Sequence, residues 1–170
     1  MRLKTSYSAR EVTALTGLTA RQLQTWDAAR IFPSAIAPRR TSAGGFTERR
    51  YTPVDVIELL ALANLRKRGF APAELKQMMD ALRDYFRRRL SETLDDAGEM
   101  RLLTDDRGLF LRTRLGHIFD LLADPTQPLI TGDGLPLKPV TAKKSRARKA
   151  QSTRKGRGRS KAQEPGPDES

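Results

Sequence analysis

The same helix-start signal occurs twice within twenty residues. Ser8 stands three before Glu11 ahead of Val12 and Leu15, and Thr19 stands three before Gln22 ahead of Leu23 and Trp26. In such a capping box each of the two side chains satisfies an orphan backbone N–H of the first turn, so both spacings open helices. Gly17 ends the first, and the second must stop before Pro33. Two short helices around the turn Gly17-Leu18-Thr19 make a helix-turn-helix. Its second helix sets Arg21, Gln22, Gln24 and Thr25 around a single apolar Leu23, a pattern suited to one face on a core and one presented to a groove. Arg and Gln match the edges of guanine and adenine respectively. Short capped helix pairs are also common in all-α proteins, so at this point a purely structural pair stays open.

Charge placement narrows the choice. The 170 residues carry 32 Lys plus Arg against 20 Asp plus Glu, a net charge of +12. Residues 1–70 hold 12 basic and 5 acidic side chains, residues 71–137 hold 9 and 12, and residues 138–170 hold 11 and 3. A chain basic at both ends points to an anionic partner, with nucleic acid first. The stretch KKSRARKAQSTRKGRGRSKAQEPGPDES has no large apolar or aromatic residue to offset ordering entropy. Residues 140–170 are therefore expected to be a disordered basic tail that holds phosphates loosely or serves only solubility.

Between Pro33 and Pro53, two short extended segments flank Gly44-Gly45 and carry Arg39, Arg40, Arg49 and Arg50, the composition of a basic β-wing. Thr52 then caps a helix with Pro53 at its first position and Asp55 in its first turn. That helix runs through Val56, Ile57, Leu60 and Leu65 to Arg66-Lys67-Arg68 and a stop at Gly69. Pro72 and Glu74 open another.

The runs YSAREVTALTGLTARQLQTWDAARIFP and ERRYTPVDVIELLALANLRKRGFAPAELKQMM resemble the winged helix-turn-helix of MerR-type transcription regulators over about residues 7–80. The resemblance implies that Arg21 lies at the family's phosphate-contacting arginine, Arg49 at its wing arginine and Tyr51 at the tyrosine that follows. With Arg10, Thr19, Gln22, Gln24, Thr25, Arg39, Arg40 and Arg50 these make up the expected DNA-binding set. Where the family commonly has Leu-Arg-Tyr-Tyr, this chain has Leu23-Gln24-Thr25-Trp26, so its base preference should differ. The wing is lengthened by SAIAPRRTSAGG, and Trp26 is expected to pack under it.

From Pro72, Leu75, Met79, Leu82, Phe86, Leu90 and Leu94 step by three or four, one stripe of a long helix over about 73–97. MerR-like proteins dimerise through such a helix. Leu75, Met79, Leu82, Phe86 and Leu90 are the expected dimer contacts, with a monomer folding the stripe onto its own C-terminal module as the alternative. The runs MRLLT and LFLRT around Asp105-Asp106-Arg107-Gly108 predict a hairpin, and a helix is expected over about 114–123. The fold class is thus mostly α: a DNA-binding domain over 1–72, the dimerisation helix over 73–97, a β-hairpin-helix module over 98–139, and the tail.

Cysteine is absent and His117 is the single histidine, which excludes thiolate metal sites and leaves little for a histidine-based triad. His117 reads as an ordinary surface or half-buried residue, and the paired aspartates as turn chemistry. No Gly-rich phosphate loop, G-x-S-x-G elbow or H-E-x-x-H motif occurs, and no apolar run approaches the roughly 20 residues of a bilayer span. The expectations are a non-enzymatic, cytoplasmic, nucleoid-associated DNA-binding regulator, homodimeric on double-stranded DNA, without cofactor or metal, its effector left open. The alternative is an antitoxin-like or nucleoid-associated interaction protein that uses the same fold without promoter control.

Overall fold

The computed structural model describes residues 4–34, 36–40, 47–130 and 134–143, with positions 36–40 and 47 described by backbone course alone. The Gly44-Gly45 turn and the sequence from residue 144 onward lie outside the described residues.

Local signals set the first half. In α1 (Ala9–Thr16) Ser8 Oγ accepts the Glu11 N–H at 3.3 Å, and Glu11 Oε2 accepts the Ser8 N–H at 2.9 Å. In α2 (Ala20–Ala28) Thr19 and Gln22 repeat the exchange at 3.1 and 2.8 Å. α2 closes on a left-handed residue, Arg30 at φ 56°, with the Ile31 N–H on the Trp26 carbonyl and the Arg30 N–H on that of Asp27. This is a Schellman closure with arginine where glycine is usual, and Ile31 and Trp26 both enter the core.

A three-stranded sheet follows from β1 (Tyr7–Ser8), β2 (Ile36–Arg40) and β3 (Thr47–Tyr51), in the order β1-β3-β2, with Tyr7 opposite Tyr51. Thr52 and Asp55 cap α3 (Pro53–Lys67) by a third reciprocal box, at 3.1 and 2.7 Å. Val56, Leu59, Leu62 and Leu65 are buried along α3, which makes it the keel of the molecule. α4 (Pro72–Asp84) begins with Glu74 accepting the Ala71 N–H at 2.6 Å.

Beyond α4 the structure departs from the sequence-based expectation in three places. The long helix ends at Asp84: Arg87 is left-handed at φ 52°, the Arg88 N–H reaches back to the Leu82 carbonyl at 3.0 Å, and Leu90–Thr93 is a separate 3₁₀ turn. The apolar stripe expected to dimerise is spent inside the chain. Leu75, Leu82 and Leu90 are no more than 1% exposed, while Met79 and Phe86 pack half-buried against the same core. Each fully buried leucine contributes about 1.5–3 kcal/mol, and these leucines join the core cluster that the chain closes on itself.

That sheet has five strands rather than a hairpin: β4 (Met100–Thr104), β5 (Leu109–Thr113), β6 (Ile118–Asp120), β7 (Asp124–Pro128) and β8 (Lys138–Pro139), ordered β7-β6-β5-β4-β8. All its pairings are antiparallel. The helix expected over 114–123 is replaced by a turn and β6, because Gly116 at φ 88° lets its N–H reach the Thr113 carbonyl and folds the chain back on β5. Asp120 then accepts the N–H groups of Leu122 and Ala123 at 2.9 and 3.0 Å and turns the chain into β7. One face, with Leu102, Leu109 and Leu111, closes on α3 and α4 together with Leu121, and Phe86 meets Phe119 edge-on at 5.1 Å.

The third departure concerns the expected start of the tail at Val140. Val140 is 1% exposed, and Asn64 of α3 donates to the carbonyls of Thr141 and Lys143 at 2.7 and 2.9 Å. Residues 140–143 therefore belong to the folded body.

Candidate nucleic-acid interface

The second helix of the helix-turn-helix divides cleanly. Leu23 and Trp26 are 3% and 2% exposed, whereas Arg21, Gln24 and Thr25 stand in solvent on the other side. Arg21 makes no ion pair with another described residue. Thr25 turns its hydroxyl inward to the Arg21 carbonyl at 2.9 Å, which leaves its methyl group outward. Thr19 is exposed but its Oγ1 is committed to capping, and Gln22 is only half-exposed with its Oε1 on the Thr19 N–H. Gln22 keeps its amide NH₂ for an outside partner and has lost its acceptor to the cap. Arg10, on α1, is exposed.

The wing brings the next group. Arg39 and Arg40 lie on β2 opposite Glu48 and Thr47 by backbone register. Arg49 Nε donates to Asp27 Oδ2 at 2.7 Å, an ion pair that ties the wing to the last turn of α2. Arg50 donates through Nε and Nη2 to Ser6 Oγ at 3.3 and 2.8 Å, and through Nη1 to Glu48 at 3.3 Å. Asp27 and Ser6 were missed in the sequence; each meets its arginine across 22 or 44 residues, a separation that leaves no local trace.

Tyr51 needs a correction. Placed by resemblance among the DNA contacts, it is 1% exposed and lies in the core, because β3 turns this position inward under α1 and α3. Burial pushes its phenol above the usual range, with Arg49 pulling the other way.

At the entry to α1, Lys4 pairs with Glu11 and stands 5.0 Å from the centre of the Tyr7 ring. The Lys4 ammonium, aided by the Ser8 N–H, lowers the Glu11 carboxyl from 4.5 to about 2.

Behind α2, a cleft of about 710 Å³ separates the end of α2 and α3 from α4, with Ile31, Phe32, Leu82 and Leu90 among its walls. Two carboxylates sit in it, Asp55 at 1% and Glu58 at 2% exposure. Arg89 spans both, at 3.1 Å to each Glu58 oxygen and 3.1 Å to Asp55 Oδ1, while Ser91 donates its hydroxyl to Glu58 at 2.8 Å. These partners hold the Arg89 guanidinium firmly charged, Glu58 foremost. Among the described residues, no group of three His, Asp or Glu could hold a metal ion, and no helix is long and apolar enough to cross a membrane.

No match was found among curated proteins or among solved structures. Residues 7–82, from the first strand to the last turns of α4, match the family model described as MerR HTH family regulatory protein, so this domain is similar to the helix-turn-helix of the MerR-type regulators.

Proposed function

We propose that the chain regulates transcription by reading a defined double-stranded sequence, with α2 in the major groove and the wing along the flanking backbone. The observation that carries this reading is the two-sidedness of α2. Its apolar residues are consumed by the core, and Arg21, Gln24 and Thr25 are held outward on a helix capped at its entry and pinned at its exit by Asp27–Arg49. A rigid helix with free donors is what direct readout of base edges needs. Arg21 and Arg10 supply charge to phosphates, and Gln24 is the main candidate for a base contact. Gln22 is secondary, because its acceptor is occupied.

The test is selection from random duplexes at moderate salt, run with the full chain and with a form cut after Lys143, so that Val140 stays in the core. The same distinct motif from both forms supports the reading. No motif from either, with salt-sensitive retention by the full chain alone, favours a coating or partner-binding protein. A two-fold symmetric motif would require a dimer contact other than the stripe of Leu75, Leu82 and Leu90, which the fold has already buried.

A further inference from the structure

The face of the second sheet turned away from the core carries arginines in an arrangement the DNA-reading unit does not explain. In the β4–β5 ladder Arg101 stands directly opposite Arg112. Arg114 opens the turn that follows β5 and lines the same groove as Arg101 and Arg112. Like charges directly opposite each other on a sheet oppose its formation. Arg101 is relieved by Asp96, yet its Nε is buried without a hydrogen-bond partner. Arg112 and Arg114 are exposed and make no ion pair with any described residue. The acid nearest in the loop, Glu99, is already taken by Arg88.

The three arginines line one groove of about 450 Å³, walled by residues 96–99 and by Thr113 and Gly116. The wall is fixed rather than loose. The Arg114 N–H bonds the Glu99 carbonyl at 2.9 Å. A Cβ on Gly98 would stand 3.0 Å from the Glu92 carbonyl oxygen and 3.3 Å from that of Asp95, so the loop is packed backbone against backbone. A preformed groove with two exposed guanidinium groups that pair with no described carboxylate suits a tetrahedral oxyanion, which accepts several such bonds at once.

We infer that this groove binds a phosphate group, separately from the helix-turn-helix. The phosphate can come from a DNA backbone or from a free phosphorylated molecule, and the experiment tells the two apart. The full chain, and a form with Arg112→Gln and Arg114→Gln, are titrated with inorganic pyrophosphate while backbone amide shifts are followed. Retention on a 30-base-pair duplex of arbitrary sequence is measured in parallel across a salt series. Because the readout is resolved by residue, pyrophosphate held by the lysines and arginines beyond residue 143 does not interfere. Expected are saturable shifts at 98–101 and 112–116, abolished in the double variant, whose melting temperature should not fall because both side chains are exposed. If the variant also loses about two units of salt slope on the duplex, the phosphate belongs to DNA. If its slope is unchanged while the pyrophosphate shifts vanish, the ligand is a free phosphorylated molecule. The form with Arg112→Lys and Arg114→Lys keeps the charge and should retain most of the binding, which separates loss of the site from loss of the fold. Absence of shifts at these amides in the native chain, with the same slope in both forms, overturns the inference. The result does not depend on the role of α2, whose loss would be read at a different set of amides.

Discussion

Two faces of the same three-helix unit treat charge in opposite ways. On the outer side of α2, Arg21 and Gln24 are left in solvent. On the side of α3 toward α4 and the 3₁₀ turn, Asp55 and Glu58 are almost wholly enclosed and every carboxylate oxygen has a partner, from the Thr52 N–H to Arg89 and Ser91. Enclosed charges must be paired, since an unpaired one costs several kcal/mol, whereas solvated charges cost little and stay available to a ligand. The arginines divide accordingly. Arg89 joins the segment after α4 to α3, Arg49 is shared between wing and helix, and Arg21 pairs with no other described residue.

Substitutions can break this contrast from its buried end outward. Leu82→Ala opens a hole where α4 faces α3 and the end of α2 and should cost about 2–5 kcal/mol in urea unfolding; a change below about 1 kcal/mol would mean that the stripe is not closed by this chain. Arg89→Ala should cost about 2–3 kcal/mol in the same assay, less than the loss for a fully enclosed pair because its guanidinium is half-exposed. Gln24→Ala should leave unfolding unchanged and relax preference at one or two base pairs by about 1–3 kcal/mol in competition binding. Arg21→Ala should reduce the salt slope of DNA binding by about one unit. Arg49→Ala should reduce it by less, since Asp27 already neutralises that charge. Equal losses at the two positions would show that the Asp27 pair opens on DNA.

The smallest effect lies at the entry to α1. The Glu11 carboxyl titrates at about 2 when folded against 4.5 ordinarily, so it contributes stability above about pH 4.5 and loses it as pH falls toward 2. Amide shifts of Ser8 and Glu11 should follow that loss before the core unfolds. Their independence of pH over this window would remove Lys4 from the cap.

The helices of the first half were legible because their signals are local: Ser8 with Glu11, Thr19 with Gln22 and Thr52 with Asp55 each act within one turn, and Gly17 and Gly69 mark the exits. The stripe from Leu75 to Leu90 was equally visible, but spacing gives a face without its occupant, and the face met the chain's own core. The segment 114–123 misled because its apolar residues suit a helix, while a single left-handed Gly116 decides for a return strand. On the reading helix the outward set was recognisable from its polarity. The burial of Tyr51 and the partners Asp27 and Ser6 were not, since they depend on contacts across 22 to 44 residues.

The clasp between Asn64 and the backbone at Thr141 and Lys143 closes a span of 77 to 79 residues. Contacts so remote in sequence must first meet the entropy of closing the loop, so they form after the local helices of the first half. On a growing chain the capping partners of α1 to α3 are all present well before residue 141 is added. Removing the clasp with Asn64→Ala should free residues 140–143 from α3, read as faster hydrogen exchange at the Val140 amide, which bonds the Leu102 carbonyl at 3.0 Å.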